Sequence, residues 1–175
     1  MGANGMPVYK SARRKLRVED LSGLTKALRA PDQPIRMCHA IEKLSGETIG
    51  HRLFTVMRFD SDRYEVQRIH TNLPSAYPVG GRKQKQATAW AGRVLGEMKI
   101  FRGTGSTDIV SAFNDHETIL ALGLGSVLNI PVVFEGRCLG TMNLLHQAGW
   151  YRAEDERTGL LLGMFLIPVL LDGNS

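Results

Sequence analysis

Hydrophobic residues recur along the chain with two spacings, one typical of helices and one typical of strands. Helical spacing marks residues 18–29, a segment from the break APDQP (30–34) to SGETIG (45–50), and a stripe from Ala87 to Met98 that contains Trp90. We predict that Asp32 caps the second of these helices and that Pro34 lies in its first turn.

Runs rich in β-branched and aromatic residues fall into two pairs of predicted strands. RLFTVMRF (52–59) and RYEVQRIH (63–70) flank the turn DSD, and SVLNIPVVF (126–134) and RCLGTMNLLH (137–146) flank the turn EG. The second pair is apolar at nearly every position, which is typical of strands covered on both faces. One residue of uncertainty in its turn leaves open whether Leu128 or Asn129 lies beside Asn143.

The segments between and after these pairs predict helices again. A short irregular strand near Asp108–Val110 precedes a helix that opens at Asn114 with capping-box spacing to Glu117, and a final helix starts at Ala153. The Asp-His-Glu run at 115–117 is explained better by capping than by a metal site, so we expect no metal. Strand pairs separated by helices predict an α+β domain with an antiparallel sheet sandwiched between helices.

The net charge of +5 is concentrated at the beginning of the chain. Residues 1–30 contain seven of the 22 Lys and Arg residues and two of the 17 acidic residues, and residues 31–175 balance to zero. We expect a basic N-terminal arm with a short helix over residues 1–30 and one domain over residues 31–175. A nucleic acid would contact the chain only through this arm, which lacks the interleaved aromatic residues that favour such binding.

Two cysteines and the absence of export signals bear on the compartment. Cys38 and Cys138 form no CxxC pair, so neither a disulfide framework nor a zinc site is predicted, and Cys38 belongs to the apolar stripe of the second helix. No signal-peptide pattern is visible, and the longest apolar run, 159–171, is too short to cross a bilayer. These features predict a cytoplasmic protein without a membrane partner.

The segment GSVLNIPVVFEGRCLGTMNLLH (125–146) resembles the signature hairpin of GAF domains, with Pro131 and Gly140 in the matching places. The upstream strand pair, the helix with Trp90 and the final helix follow the order of that family, so the resemblance covers roughly residues 32–172. It implies a GAF-like fold and a stand-alone, non-catalytic small-molecule sensor in signalling or regulation. It also implies a homodimer and a separate output protein as partner.

The resemblance places a ligand cavity against one side of the last strand, where Thr141, Asn143 and Leu145 alternate. The loop YPVGGRKQKQATAW (77–90) lacks a nucleotide fingerprint and is interpreted as the rim of this cavity. Its arginine suits a small polar or anionic ligand, whose identity and cofactors stay unknown. Asn143 either contacts the ligand or is satisfied internally. The candidate ligand-binding residues are Tyr77, Arg82, Trp90, Asp108, Thr141 and Asn143.

Two alternative functions are kept beside the sensor. Free methionine sulfoxide reductases are single GAF domains, but their chemistry needs loop cysteines and hairpin carboxylates. Residues 71–125 contain no cysteine, and Val127, Asn143 and Leu145 occupy the matching hairpin positions, so an enzyme on this scaffold is disfavoured. The second alternative is a protein-interaction or dimerisation module whose cavity is collapsed and filled by its own side chains.

Overall fold

The computed structural model describes residues 13–84 and 88–171, which form one antiparallel sheet with helices on both faces. The helices are α1 (Val18–Arg29), α2 (Ile35–Thr48), α3 (Ala89–Ala91), α4 (Ser106–Ala112), α5 (His116–Ala121), α6 (Ala153–Gly163) and α7 (Ile167–Leu171). The strands are β1 (Leu53–Asp60), β2 (Glu65–Thr71), β3 (Arg82–Gln84), β4 (Phe101–Gly103), β5 (Ser126–Phe134) and β6 (Arg137–His146).

The six strands lie in the order β3-β2-β1-β6-β5-β4, and all neighbours are antiparallel. The two predicted strand pairs are therefore the centre of the sheet, with β1 next to β6. This arrangement confirms the predicted α+β fold, in which an antiparallel sheet lies between helical layers. The two short outer strands, β3 and β4, were not predicted at these positions.

One face of the sheet packs against α1, α2, α6 and α7. Val56, Ile130 and Met142 project from three of the four central strands, and they pack in one buried cluster with Ile41 of α2 and Leu162 of α6. Burying an aliphatic side chain of this size stabilises the fold by about 1.5–3 kcal/mol. This face is thus the main hydrophobic core.

The described part of the predicted basic arm packs onto the same layer. Leu24 and Ala27 of α1 are buried in the main core. Arg13 forms an ion pair with Asp155 at 2.8 Å, and Arg14 pairs with acidic side chains of α1 and α2 at 2.6 Å each. These two cations are therefore used within the chain, whereas residues 1–12 lie outside the described ranges and the boundary at residue 30 stays a prediction.

Helix α2 starts later than the sequence pattern predicts. Pro34 occupies the N-cap position, and Asp32 has a left-handed φ of 69°, so the prediction that Asp32 caps the helix is wrong. The side chain of Gln33 satisfies a backbone N–H at the start of the helix instead, because its Oε1 accepts a hydrogen bond from the Met37 backbone N–H at 3.3 Å. Cys38 is fully buried on this helix, which confirms its prediction as a core residue.

The stripe around Trp90 is buried as predicted, but the helix that carries it is short. Trp90 and Val94 lie in one hydrophobic cluster. Only Ala89–Ala91 is α-helical, and the segment Gly92–Gly96 continues as a π-helix. Glycine at both ends of that segment is a poor α-helix former, which allows the wider turn. Ala87, the predicted start, lies outside the described residues.

The predictions for residues 101–121 are partly wrong. Asp108–Val110 is not a strand but part of α4. The Asp108 carboxylate accepts hydrogen bonds from the backbone N–H groups of Thr104 (2.7 Å) and Gly105 (3.2 Å), and these bonds stabilise the start of the helix. Helix α5 begins at His116, so the capping box predicted to open at Asn114 is not formed. In the described ranges, no helix has the length and apolar character needed to cross a membrane.

Candidate functional site

A cavity of about 270 Å³ lies on the face of the sheet opposite the main core. Residues of β1, β2, β5 and β6 form its floor, and α3, α5 and the loop before β3 form its sides. Most of the wall is apolar; it includes Leu53, Val66, Trp90, Phe113, Ile119 and Leu145. The volume is slightly below the about 300 Å³ at which typical ligand sites begin, so the cavity suits a small molecule.

The floor carries a continuous chain of polar side chains. The indole N–H of Trp90 donates to Asn129 Oδ1 at 2.9 Å, and Asn129 Nδ2 donates to Asn143 Oδ1 at 2.7 Å. Asn143 Nδ2 in turn donates to the hydroxyl oxygens of Thr55 at 3.1 Å and Thr141 at 3.0 Å. Because these groups are buried, each bond avoids the cost of an unpaired polar atom. The floor is therefore held in one arrangement before any ligand enters.

Strand register explains this chain. Asn143 lies directly opposite Asn129 on one side and Thr55 on the other, so the three residues form a row across β5, β6 and β1. The alternative that the sequence left open is thus decided in favour of Asn129 over Leu128. Asn143 is satisfied by these internal partners, and its amide still faces the cavity.

The side chain of Arg68 brings a positive charge to the cavity wall. Its guanidinium lies 5.0 Å from the centre of the Tyr77 ring and donates from Nη1 to the Pro78 carbonyl oxygen at 3.1 Å. Its Nε is buried and has no hydrogen-bond partner among the described residues. Burial lowers the pKa of Arg68, because desolvation disfavours the charged form.

No carboxylate of the described residues lies within 4.0 Å of this guanidinium. Asp115 is on the cavity wall, and the Tyr77 hydroxyl donates to its Oδ2 at 3.2 Å. Burial and the charge of Asp115 raise the pKa of Tyr77, so this phenol stays neutral. Arg68 therefore has an aromatic ring and a carbonyl oxygen as its close neighbours, and it lacks a direct anionic partner in the described ranges.

Four of the six predicted site residues meet at this cavity. Tyr77, Trp90 and Asn143 are buried in its wall, and Arg82 lies at its rim, where it pairs with Glu65 at 2.9 Å. Thr141 lies behind the wall, hydrogen-bonded to Asn143. Asp108 lies elsewhere, at the start of α4. Ligand binding by these residues stays a prediction.

The sequence pattern missed Arg68, Asn129 and Asp115. Arg68 looks like an ordinary polar position of an alternating strand, and Asn129 was one of two open choices for the partner of Asn143. A signal existed for Asn129 only, since a polar residue inside an otherwise apolar strand indicates a specific partner.

The thiols take no part in the cavity. Cys38 and Cys138 are both buried, and burial raises the pKa of Cys38 to about 12 and that of Cys138 to about 11. At neutral pH both thiols are protonated, and the thiolate is the nucleophilic form.

A six-stranded antiparallel sheet with helices on both faces and a cavity on one of them defines a class of α+β domains. The arrangement is that of the GAF fold, as the hairpin resemblance predicted. The chain is similar to the GAF domain of a phosphoenolpyruvate-protein phosphotransferase from Coxiella burnetii, with 15% identity, 89% of this chain and 93% of that chain covered, and a TM-score of 0.73.

Two further solved structures support the same fold. The GAF domain of an Acinetobacter phosphoenolpyruvate-protein phosphotransferase has 12% identity and a TM-score of 0.67, with 91% of this chain and 96% of that chain covered. The chromophore-binding domain of a bacteriophytochrome from R. palustris has 14% identity and a TM-score of 0.66, with 93% of this chain and 65% of that chain covered. Protein-family models and curated protein sequences gave no match.

Proposed function

We propose that this chain is a non-catalytic GAF-type sensor that binds a small anion with an apolar body in the cavity beside Arg68. The observation that carries this proposal is a half-buried guanidinium with a desolvated Nε, in a mostly apolar cavity, without a carboxylate within 4.0 Å among the described residues. A buried charge is costly unless it is paired. A bound carboxylate or phosphate would supply that pair through the planar fork of the arginine.

The shape of the site agrees with an anion that also has an apolar part. Trp90, Phe113 and Ile119 would contact the apolar body, whereas Arg68 and the rim residue Arg82 lie on the side where the anionic group would sit. Arg82 is already paired with Glu65 and is largely exposed, so its contribution is expected to be smaller. The pre-formed floor lowers the entropic cost of binding.

The two alternatives are supported less well. An enzyme of the free methionine sulfoxide reductase type would need a reactive thiolate at the cavity, and both thiols are buried with raised pKa values. A collapsed interaction module would have no room above Asn143, where the cavity lies. The sensor is therefore the function that the geometry favours.

The test compares ligand binding by wild type and two matched variants. Melting temperature and isothermal titration calorimetry are measured with benzoate, phenylacetate and phenyl phosphate, and with benzyl alcohol as the uncharged control. Arg68→Gln removes the charge in the cavity, and Arg63→Gln removes an exposed charge in the turn of the same hairpin.

We expect at least one anionic probe to stabilise the wild type and the Arg63→Gln variant. A charge-assisted hydrogen bond is worth about 1.5–3 kcal/mol, so Arg68→Gln should weaken that binding by about 10- to 100-fold. The proposal is refuted if none of the anions binds, or if Arg68→Gln and Arg63→Gln bind them equally well.

We further propose, from the resemblance to GAF domains, that the chain forms a homodimer and passes its signal to a separate output protein. Leu160, Leu161 and Met164 leave apolar surface exposed at the end of α6. Sedimentation velocity at several concentrations tests the dimer, and a concentration-independent monomer would contradict it.

A further inference from the structure

A cluster of two histidines and a glutamate lies on the other face of the sheet, away from the cavity. His39 and Glu42 belong to α2, and His70 belongs to β2. Each residue offers one ligand atom, and these atoms lie within 4.8 Å of one another. We propose that this cluster binds a divalent transition-metal ion of the Zn²⁺ type.

Helical and strand geometry bring the three side chains together. His39 and Glu42 are three residues apart, a spacing that places two side chains on the same face of a helix. The register of β1 and β2 shifts between Val56 and Met57, which pair with His70 and Arg68, so the intervening residue of β2 is left without a partner. Because of this bulge, His70 faces α2 while Arg68 faces the cavity.

The distances already approach those of a metal site. Glu42 Oε2 lies 2.7 Å from His70 Nε2 and 3.7 Å from His39 Nδ1. Ligand atoms about 2.0–2.2 Å from a tetrahedral ion are roughly 3.4 Å apart, so the observed separations lie on both sides of that value. The His39 side chain is exposed and free to adjust its distance, whereas Glu42 and His70 are mostly buried, and an ion between them would replace their hydrogen bond and lengthen the 2.7 Å separation.

The ligand types and the exposure of the cluster suit a Zn²⁺-like ion. Imidazole nitrogens with one carboxylate bind Zn²⁺, Co²⁺ and Ni²⁺, whereas Mg²⁺ and Ca²⁺ prefer oxygen ligands alone. The exposed side of His39 gives an ion access from solvent and leaves one coordination position for water. A glutamate–histidine pair without metal would need Glu42 and His70 only. A requirement for His39 in Zn²⁺ binding therefore distinguishes a metal site from such a pair.

The test uses full-length, tag-free protein that has been treated with a chelator and dialysed. ZnCl₂ binding is measured by isothermal titration calorimetry, and CoCl₂ is added separately to observe the visible absorption of the bound ion. Three variants are compared with wild type: His39→Ala, Glu42→Gln and, as matched control, His116→Ala on the first turn of α5.

We expect one Zn²⁺ per chain in the wild type and in His116→Ala. Removing a group that only supports a metal ligand lowers metal affinity by about 10- to 100-fold, and removing a ligand itself should lower it at least as much. We therefore expect His39→Ala and Glu42→Gln each to weaken Zn²⁺ binding by about 100-fold or more. His39 is exposed, so His39→Ala is expected to keep the wild-type melting temperature without metal. Wild type without Zn²⁺ affinity, or equal affinity in His39→Ala and His116→Ala, would overturn the proposal.

Discussion

Gly140 lies in β6 at the centre of the sheet, between Arg58 of β1 and Val132 of β5. A Cβ atom added at this position would lie 2.0 Å from the carbonyl oxygen of Met57, 3.0 Å from its carbonyl carbon and 3.1 Å from Cα of Arg58. All three atoms are backbone, so no rotamer change can remove the contact. Gly140→Ala is therefore expected to force β1 and β6 apart.

The size of the effect follows from these distances. Real Cβ contacts almost never fall below 3.0 Å, so β1 must move by about 1 Å at Met57. Overpacking of this kind costs about 1–3 kcal/mol, and weakening two ladder hydrogen bonds costs about 1 kcal/mol each. We expect the free energy of unfolding to fall by at least about 3 kcal/mol, which lowers the melting temperature by about 6–12 °C.

Urea denaturation followed by circular dichroism measures this change. Gly23→Ala is the matched control, because Gly23 lies inside α1 and a Cβ there meets nothing within 4 Å. Alanine in a helix interior is more favourable than glycine by about 1 kcal/mol, so the control should be more stable than wild type. A loss below about 1 kcal/mol for Gly140→Ala would refute the argument from close strand approach.

Three further predictions concern polar groups. Burial lowers the pKa of His146 to about 4, and its Nδ1 accepts a hydrogen bond from the backbone N–H of Gln147. As the pH drops from 6.5 to 4, the imidazole is protonated in the unfolded chain before it is protonated in the folded one, so the folded state loses stability. The melting temperature of His146→Phe should therefore fall less over this interval than that of wild type. Asn129→Leu removes two hydrogen bonds of the cavity floor and should cost about 2 kcal/mol in urea denaturation. A hydrogen bond from Arg14 lowers the pKa of Asp20 from 3.8 to about 2. The charged carboxylate therefore stabilises the folded state above pH 4, and this contribution is lost towards pH 2. The melting temperature of Asp20→Asn should fall less over that interval than that of wild type.

The predictable part of the fold rests on contacts that are close in sequence. The hairpin of β5 and β6 is joined by a two-residue turn, and its alternation of side chains is set by the strand itself, so Thr141, Asn143 and Leu145 could be assigned to one face. The exact partner of Asn143 could not, because a shift of one residue in the turn exchanges Leu128 and Asn129.

Short elements at the edges of the sheet were beyond the sequence pattern. Strand β3 has only three residues, all exposed, and it exists because β2 offers an open edge for pairing. The segment around Asp108 is rich in hydroxyl groups and β-branched residues, which suits a strand, yet the capping bonds of its carboxylate favour a helix. At Asp108 a local capping interaction outweighed strand preference, whereas the pairing of β3 depends on a sheet edge that exists only in the folded chain.

The bulge in β2 shows why the charged wall of the cavity was missed. A regular strand places residues i and i+2 on one face, so a pattern-based interpretation puts Arg68 and His70 on the same side of the sheet. Ile69, the residue between them without a partner in β1, places the two side chains on opposite faces of the sheet. Arg68 therefore points to the cavity, and the His70 imidazole points to α2. Deleting Ile69 would make Arg68 and His70 neighbours in a regularly alternating strand, so the two side chains would stay on opposite faces and each proposed site would keep its residue. Such a variant should bind both the anionic probes and Zn²⁺, whereas Arg68→Gln should weaken anion binding alone and His39→Ala should weaken Zn²⁺ binding alone.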